Sequence, residues 1–149
     1  MQQMKTGALI IAFALATLGA APARACIPEP PPHWPSILRA DGPALFVGRV
    51  TTVERLPEPR RTATLAVTES KATIELLEAV RGQPKPTYAL TAAESVRRLD
   101  AYDGMVCVDF QHLKAGDLVL GMEAPKGAVR IFEPQQIPSE FTSRIEAYR

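Results

Sequence analysis

Two cysteines are the residues whose types and spacing point most directly to chemistry. Cys26 follows the small-residue segment Ala23-Arg24-Ala25, and Cys107 is the only other cysteine among the 149 residues. Cleavage after Ala25 would make Cys26 the first residue, which places an amine, a thiol and a backbone carbonyl within one residue. Whether that thiol is reactive or oxidised depends on the compartment in which the chain works.

Residues 1–25 have the three parts of a secretory signal. Lys5 charges the start, Gly7–Ala21 is an apolar run without a charge, and Pro22–Ala25 form the cleavage region. An uncleaved membrane anchor is the alternative, but a spanning helix needs about 20 apolar residues, and this run is short and rich in alanine. We therefore expect a signal peptide at 1–25 and one domain at 26–149, without a membrane span after cleavage.

Lipoprotein processing is a second alternative, because a cysteine follows the small residues directly. Arg24 is bulky and charged beside the cut, and Ala23 stands where a lipoprotein signal usually has leucine. Ordinary cleavage is favoured over a lipid anchor on Cys26. The protein is expected to be exported, either to the periplasm or to the medium.

Export predicts that the two cysteines form a disulfide. Two thiols in one small exported domain normally pair, and the even count leaves no third cysteine. A bridge between Cys26 and Cys107 closes a long loop, for which chain entropy gives about 4–5 kcal/mol and real bridges typically deliver about 2–4. Two isolated cysteines are too few for structural zinc, and no Cys-x-x-Cys redox motif occurs.

The charge balance argues against nucleic acid as a partner. Loss of Lys5 and Arg24 with the leader leaves 15 basic and 16 acidic residues, a net charge of −1 with neutral histidines. Such a chain has no electrostatic case for binding nucleic acid or anionic membrane.

The arm Ile27–Pro35 contains five prolines and should run extended, and we expect the His33-Trp34 pair to form a packed or half-exposed corner.

The hydrophobic pattern after the arm predicts an all-β fold with short flanking helices. Ser36–Ala40 could form a helical turn, and Phe141, Ile145 and Tyr148 share one face of a C-terminal helix capped by Ser139. Lys71–Val80 could also be a helix, and Ala92–Leu99 reads as a loop or brief helix. The predicted strands are Ala44–Glu54 with a bulge at Gly48, Thr62–Val67, Lys71–Val80, Thr87–Thr91, Met105–Phe110, Asp117–Met122 and Ala128–Glu133. Several short strands and a closing helix suggest a small closed β-barrel.

Catalytic motifs are missing from the sequence. His33 and His112 are the only histidines, and there is no His-Glu-x-x-His, no Gly-x-Ser-x-Gly and no glycine-rich phosphate loop. Asp100, Asp103 and Asp109 lack the alternating oxygen ligands of a calcium loop, so we interpret them as solvated carboxylates. The sequence predicts neither catalytic residues nor a cofactor, and favours a binding protein over an enzyme.

The order of these features resembles the netrin-like module, whose best-known members are the tissue inhibitors of metalloproteinases. The residues that carry the resemblance are the cysteine after the signal, the proline-rich arm, the segment Ala40–Val50, the segment Met105–Phe110 with Cys107, the run Lys114–Gly121 and the C-terminal helix. The resemblance implies an OB-like barrel of five strands. It also implies that the mature N-terminal cysteine is bridged to a later strand, as Cys26 and Cys107 would be.

The resemblance further implies how the chain would act. In the inhibitors, the amine and carbonyl of the N-terminal cysteine chelate the zinc of the protease, so Cys26 would be the chelator and Ile27 would enter the specificity pocket. Pro28 stands where the inhibitors have a second cysteine, and one bridge replaces three. The expected partner is a zinc metalloprotease that contacts Cys26, Ile27 and Pro28. The alternative is a netrin-like interaction or envelope module that inhibits nothing.

Overall fold

A computed structural model describes residues 30–101, 107–108 and 110–149. These residues form mostly antiparallel β-sheet with two short helices, and short 3-10 turns occur at Pro125–Gly127 and Pro134–Gln136. The helices and strands are α1 (Trp34–Ile37), β1 (Leu45–Arg55), β2 (Arg60–Arg61), β3 (Leu65–Arg81), β4 (Thr87–Arg98), β5 (Leu118–Glu123), β6 (Val129–Ile131) and α2 (Ser139–Glu146). The all-β class with flanking helices is therefore confirmed.

Strand β1 lies at the centre of the sheet and is buried on both faces. It pairs antiparallel with β3 on one side and with β5 on the other. A strand covered on both faces shows a continuous apolar run rather than an alternating one, and residues 45–48 are all buried. The pairing with β3 shifts register between Val47 and Gly48, so the predicted bulge is confirmed at this glycine.

Strand β3 is longer than its sequence predicted. We expected separate strands at Thr62–Val67 and Lys71–Val80, but residues 65–81 form one continuous strand. The turn lies earlier, where the Thr62 hydroxyl accepts the Leu65 N–H at 3.0 Å. The helical alternative for residues 71–80 is wrong, because β3 pairs along this length with β1 and buries Ala72 and Ile74 at a period of two.

Strand β4 also extends beyond its predicted end. The expected loop or helix at Ala92–Leu99 is instead strand as far as Arg98, since β3 supplies pairing partners along the whole of β4. The pairing is interrupted by one irregularity between Thr68 and Glu69, and it places Ser70 opposite Ala92. This stretch has polar residues on both faces, so its sequence lacks the alternation that predicts a strand. Pairing with β3, rather than its own periodicity, stabilises it as a strand.

Strands β1, β3 and β4 form a meander, and β5 returns across a long connection to pair with β1. The resulting order β5-β1-β3-β4 is a Greek key, and β6 extends it beyond β5. The predicted closed barrel is wrong for the described residues, because the edge strands β4 and β6 form no hydrogen-bonded pairing. Strand β6 has only three residues, and Ala93 of β4 instead makes an isolated parallel bridge with Phe110.

The strand predicted at Met105–Phe110 falls partly outside the described residues. Cys107 and Val108 are described and have no regular secondary structure, and Phe110 takes part only in the bridge to Ala93. The centre of a strand is therefore the wrong description for Cys107. Among the described residues, this segment pairs with β4 only at the bridge between Phe110 and Ala93. The sequence pattern of residues 105–110 does not reveal this limit.

Two hydrophobic cores occupy the two faces of the sheet. The first, which we call the helix-side core, lies under α1 and α2; the second, the inner core, lies on the opposite face. The helix-side core consists of Ile37, Leu45, Val47, Leu120, Phe132, Phe141 and Ile145, and the inner core of Phe46, Val50, Ala72, Ile74, Tyr88 and Val119. Both cores meet at β1 and β5, and residues of β1 line both cavities described below.

Both predicted helices are present with shifted boundaries. Helix α1 begins at Trp34 rather than Ser36, because Pro35 occupies its first turn, where the missing N–H has no cost. Helix α2 begins at Ser139, but Pro138 is its N-cap and the expected serine cap is wrong. Phe141 and Ile145 are buried against the sheet as the apolar face predicted.

Candidate functional site

The N-terminal residues that the sequence singled out lie outside the described residues. These are Cys26, Ile27 and Pro28, so the structure does not place the predicted chelating group. Cys107 is described and exposed. Its predicted pairing with Cys26 stays a prediction.

The described part of the N-terminal arm is fastened to the helix-side core by Trp34. The indole Nε1 donates to the Gln136 carbonyl at 2.9 Å, and the ring lies 4.9 Å from Phe132 and 5.4 Å from Phe141 between centroids. The His33 Nδ1 lies 2.7 Å from the Ser36 hydroxyl. The His-Trp pair is thus a packed corner, and it fixes where the arm leaves the core.

A cleft of about 720 Å³ opens beside β5 and β6. It lies between residues 110–113, the end of α2 and the turn at Pro134–Gln136. Its apolar wall is formed by Phe110, Leu113, Leu118, Val119, Ile131, Phe132, Pro134, Ile137, Ile145 and Tyr148. Its size matches that of small-molecule pockets, which are about 300–1,000 Å³, and polar side chains complete the lining.

Charged side chains surround the mouth of this cleft, and they differ in how far their hydrogen-bonding capacity is used. Asp117 accepts the Lys114 N–H at 2.8 Å, and the Glu133 side chain accepts from the backbone of Gln136 in a capping box. Both carboxylates are therefore engaged by their own chain. The cationic side of the mouth is formed by Arg49, His112 and Arg149.

Arg49 is the charged group of the mouth that has no carboxylate partner among the described residues. Its Nη2 donates to the Tyr148 carbonyl at 2.8 Å. The register places Arg49 opposite Glu75 of β3, yet no ion pair joins the two side chains within the described part of the chain. The guanidinium is turned instead toward the end of α2 and the cleft, with four of its five N–H donors not used by that one hydrogen bond.

A second cavity of about 310 Å³ lies at the polar end of the inner face of the sheet. Its centre is Glu94, which accepts a hydrogen bond from the buried Ser70 hydroxyl and another from Arg55 Nε at 2.8 Å. These two hydrogen bonds, that from Ser70 first, hold the pKa of Glu94 below its ordinary value, and His112 lowers it further. Ser70 donates to the Glu94 carboxylate, whose lowered pKa makes it a weak base for activating the hydroxyl as a nucleophile.

Gln111 lies between the two cavities and lines both. Its Oε1 is shielded from solvent and has no hydrogen-bond partner among the described residues. An acceptor in this state calls for a donor from water or from a bound molecule. At this position, a water molecule or a bound molecule would supply the hydrogen bond that the described side chains do not.

A third polar group is buried in the inner core. The Tyr88 hydroxyl donates to Glu123 Oε1 at 2.7 Å and accepts the Lys85 N–H at 2.7 Å. The ring stacks on Phe46 with centroids 4.3 Å apart. Burial, followed by the hydrogen bond to Glu123, raises the pKa of Tyr88 to about 12, which keeps the hydroxyl protonated as a structural donor.

The structure separates the titratable residues that the sequence analysis considered. His33 belongs to the arm, His112 lies at the cleft, and Asp100 pairs with Arg98 at 3.5 Å. Within the described ranges, no three His, Cys, Asp or Glu side chains come together as a metal would require. Asp103 and Asp109 lie outside those ranges.

The sequence analysis missed Arg49, Ser70 and Glu94. Arg49 is an exposed residue between the buried Gly48 and Val50, and this interruption of an apolar run was the available signal. Ser70 lies between two predicted strands, and Glu94 lies in a stretch predicted as a loop or brief helix, so their proximity could not be foreseen. Register across two long strands, which no local pattern encodes, brings them together.

Comparison with known proteins finds no similar protein: no family model, no curated protein and no solved structure matches the chain. No helix in residues 30–101, 107–108 and 110–149 is long and apolar enough to cross a membrane.

Proposed function

We propose that the protein is an exported, non-enzymatic binding protein of OB-like fold that inhibits a zinc metalloprotease through its mature N-terminus. The observation that carries the proposal is the order β5-β1-β3-β4, a Greek key within an open six-stranded antiparallel sheet. An OB-fold is a five-stranded, partly open Greek-key barrel. Fold alone does not assign activity, so the N-terminus has to supply the chemistry.

The anchoring of the arm supports a rigid N-terminus. Trp34 holds the arm against Phe132, Phe141 and the Gln136 carbonyl. The residues between this anchor and Cys26 include four prolines, whose fixed φ lowers the entropy lost when the arm binds. A bridge from Cys26 to Cys107 would fasten the other end.

The proposed chemistry uses backbone atoms of one residue. A free N-terminal amine has an ordinary pKa of about 7.7–8.0, so a substantial fraction is neutral near physiological pH and can bind a metal. The amine and carbonyl of Cys26 would bind the protease's zinc, with Ile27 in the neighbouring pocket. The zinc belongs to the partner, and the chain itself needs no cofactor for this action.

Blocking the amine tests the proposal directly. The mature protein starting at Cys26 is compared with a variant that carries one alanine before Cys26, using thermolysin and a collagenase-type zinc protease with peptide substrates. We expect the native form to inhibit at least one enzyme and the extended form to lose at least tenfold in inhibition constant. One alanine added after Arg149 is the matched control and should change nothing.

The same measurement identifies the outcomes that contradict the proposal. Equal inhibition by the extended form would show that the amine does not chelate zinc. Failure of the native form against both enzymes would favour the netrin-like module that binds a protein or envelope component without inhibiting a protease. Intact mass of the exported protein checks the premise, since it reports the first residue, any lipid and the loss of two hydrogens in a bridge.

A further inference from the structure

We propose that the cleft beside β5 and β6 binds an amphipathic carboxylate, with an unbranched alkyl chain on the apolar wall and the carboxylate on Arg49. This site is formed by residues between positions 49 and 149, and the inference does not depend on protease inhibition. The cleft volume of about 720 Å³ accommodates a fatty acid of medium length.

The apolar wall selects the body of the ligand. The side chains of Ile131, Phe132 and Ile145 belong to the two hydrophobic cores and reach the cleft from both faces of the sheet. Each methylene buried on such a wall contributes a favourable transfer free energy, equivalent to about a threefold to fourfold gain in affinity. A long chain thus binds more tightly than a short one.

The charge at the mouth selects the head group. The carboxylates of Asp117 and Glu133 already accept hydrogen bonds from their own chain, whereas Arg49 has no carboxylate partner among the described residues. The guanidinium is held at one corner by the Tyr148 carbonyl. A planar guanidinium with free donors matches a carboxylate in a two-point hydrogen bond, so an anion is favoured over a cation.

An alkyl chain fits this cleft better than a peptide. Each residue of a peptide brings an N–H and a C=O group that must find partners when buried. The polar side chains at the mouth are largely engaged with their own chain, and the wall behind them is apolar. An alkyl chain brings no group that needs a partner, and the single carboxylate of the ligand meets Arg49, which has no carboxylate partner among the described residues.

Calorimetric titration with sodium dodecanoate below its micellar concentration tests the site. We expect saturable one-to-one binding by the purified protein, binding about a hundredfold weaker for octanoate because four methylenes are missing, and binding at least about tenfold weaker for dodecyltrimethylammonium, which cannot accept hydrogen bonds from Arg49. Arg49→Gln should weaken dodecanoate binding about tenfold, and Arg49→Lys should recover part of the loss. Arg61→Gln, an exposed arginine of β2 away from the cleft, is the matched control and should bind as the native protein does.

Three results would overturn the proposal. They are absence of dodecanoate binding to the native protein, equal binding of the cationic amphiphile, and unchanged binding by a folded Arg49→Gln variant. Thermal melts establish that each variant is folded, and Arg49→Lys keeps the charge test valid if Arg49→Gln is unstable. Saturable binding of a peptide with a C-terminal leucine, without binding of dodecanoate, would assign the cleft to a protein partner and contradict the alkyl chain.

Discussion

At the scale of single residues, a glycine of β5 packs directly against an aromatic ring of β1. Gly121 of β5 lies opposite Phe46 of β1, and the fully buried Phe46 ring stacks in turn on Tyr88. A Cβ at position 121 would lie 2.8 Å from Phe46 Cε2 and 2.9 Å from Cε1. The ring cannot move away without losing its stack, so only glycine fits here.

Gly121→Ala should therefore destabilise the fold by about 1–3 kcal/mol, the usual cost of overpacking a core. Chemical denaturation followed by circular dichroism measures the change in the free energy of unfolding. Ala89→Val adds volume at an exposed position of β4 and serves as the control, which should change by less than about 0.5 kcal/mol. Native stability in Gly121→Ala would mean that Phe46 is free to repack.

Tyr88 gives the fold a dependence on high pH. Its pKa rises from 10.0 in the unfolded chain to about 12 in the folded protein, mainly because the ring is buried. Since the folded state holds this proton more tightly, the associated stability is fully present below pH 10 and is lost as the pH rises through 10 toward about 12.

Tyr88→Phe should remove that dependence. At about pH 9 the variant should be less stable than the native protein by about 1 kcal/mol, because Glu123 and the Lys85 N–H lose a partner. The difference should shrink as the pH rises above 10 toward about 11.5, because the tyrosine ionises in the unfolded chain before it does in the folded protein. Thermal midpoints of both proteins at the two pH values give the result, and a difference that grows with pH would contradict it.

At the scale of elements, α2 is held by one apolar face and one polar contact. Phe141 and Ile145 are buried in the helix-side core, while Arg144 Nη1 lies 2.8 Å from Glu78 Oε1 of β3. The ion pair is partly exposed and contributes little. Burial of the two apolar side chains must dominate the docking of α2.

Ile145→Ala should destabilise the protein by about 2–4 kcal/mol, as expected for a large-to-small change in a core. Ser143→Ala, on the exposed face of the same helix, is the control and should stay within about 0.5 kcal/mol of the native value. Unfolding in guanidinium chloride measures both. A similar effect of the two substitutions would show that α2 is stabilised by its own propensity rather than by packing.

The helix face and the buried strands were predictable because their patterns are local. Phe141 and Ile145 are spaced by one helical turn, and the apolar run at the start of β1 marks a strand covered on both faces. The continuity of β3 through Ser70 and of β4 through Arg98 was not predictable. These polar stretches are strands because β3 and β4 satisfy each other's backbone hydrogen-bonding groups. This pairing depends on the register between the two strands, which the local sequence does not show.

The candidate cleft also has one part that could be predicted from the sequence and one part that could not. Part of its apolar wall, including Val119, Phe132 and Ile145, comes from the predicted strands and from the apolar face of α2. Its charged mouth depends on where the end of α2 meets β1, so that the Tyr148 carbonyl lies beside Arg49. A contact between such distant segments has no local signature, which is why Arg49 was found only from the structure.

At the scale of the whole molecule, the open edge of the sheet makes the predicted disulfide important. Strands β4 and β6 do not pair among the described residues, so hydrogen bonds do not join the two edges there. A bridge from Cys26 to Cys107 would join two distant parts of the chain covalently, and would therefore restrain the chain more than any single noncovalent contact. The closure that strand pairing does not provide would then come in part from a covalent link.

Cysteine substitutions test this link by a double-mutant cycle in protein purified from an oxidising compartment. Cys26→Ser and Cys107→Ser should each lower the free energy of unfolding by about 2–4 kcal/mol, and the double substitution should cost no more than either single one. A reductant should bring the native protein to the same level and leave the double variant unchanged. Costs that add up, or a native protein indifferent to reductant, would show that the two cysteines are not joined.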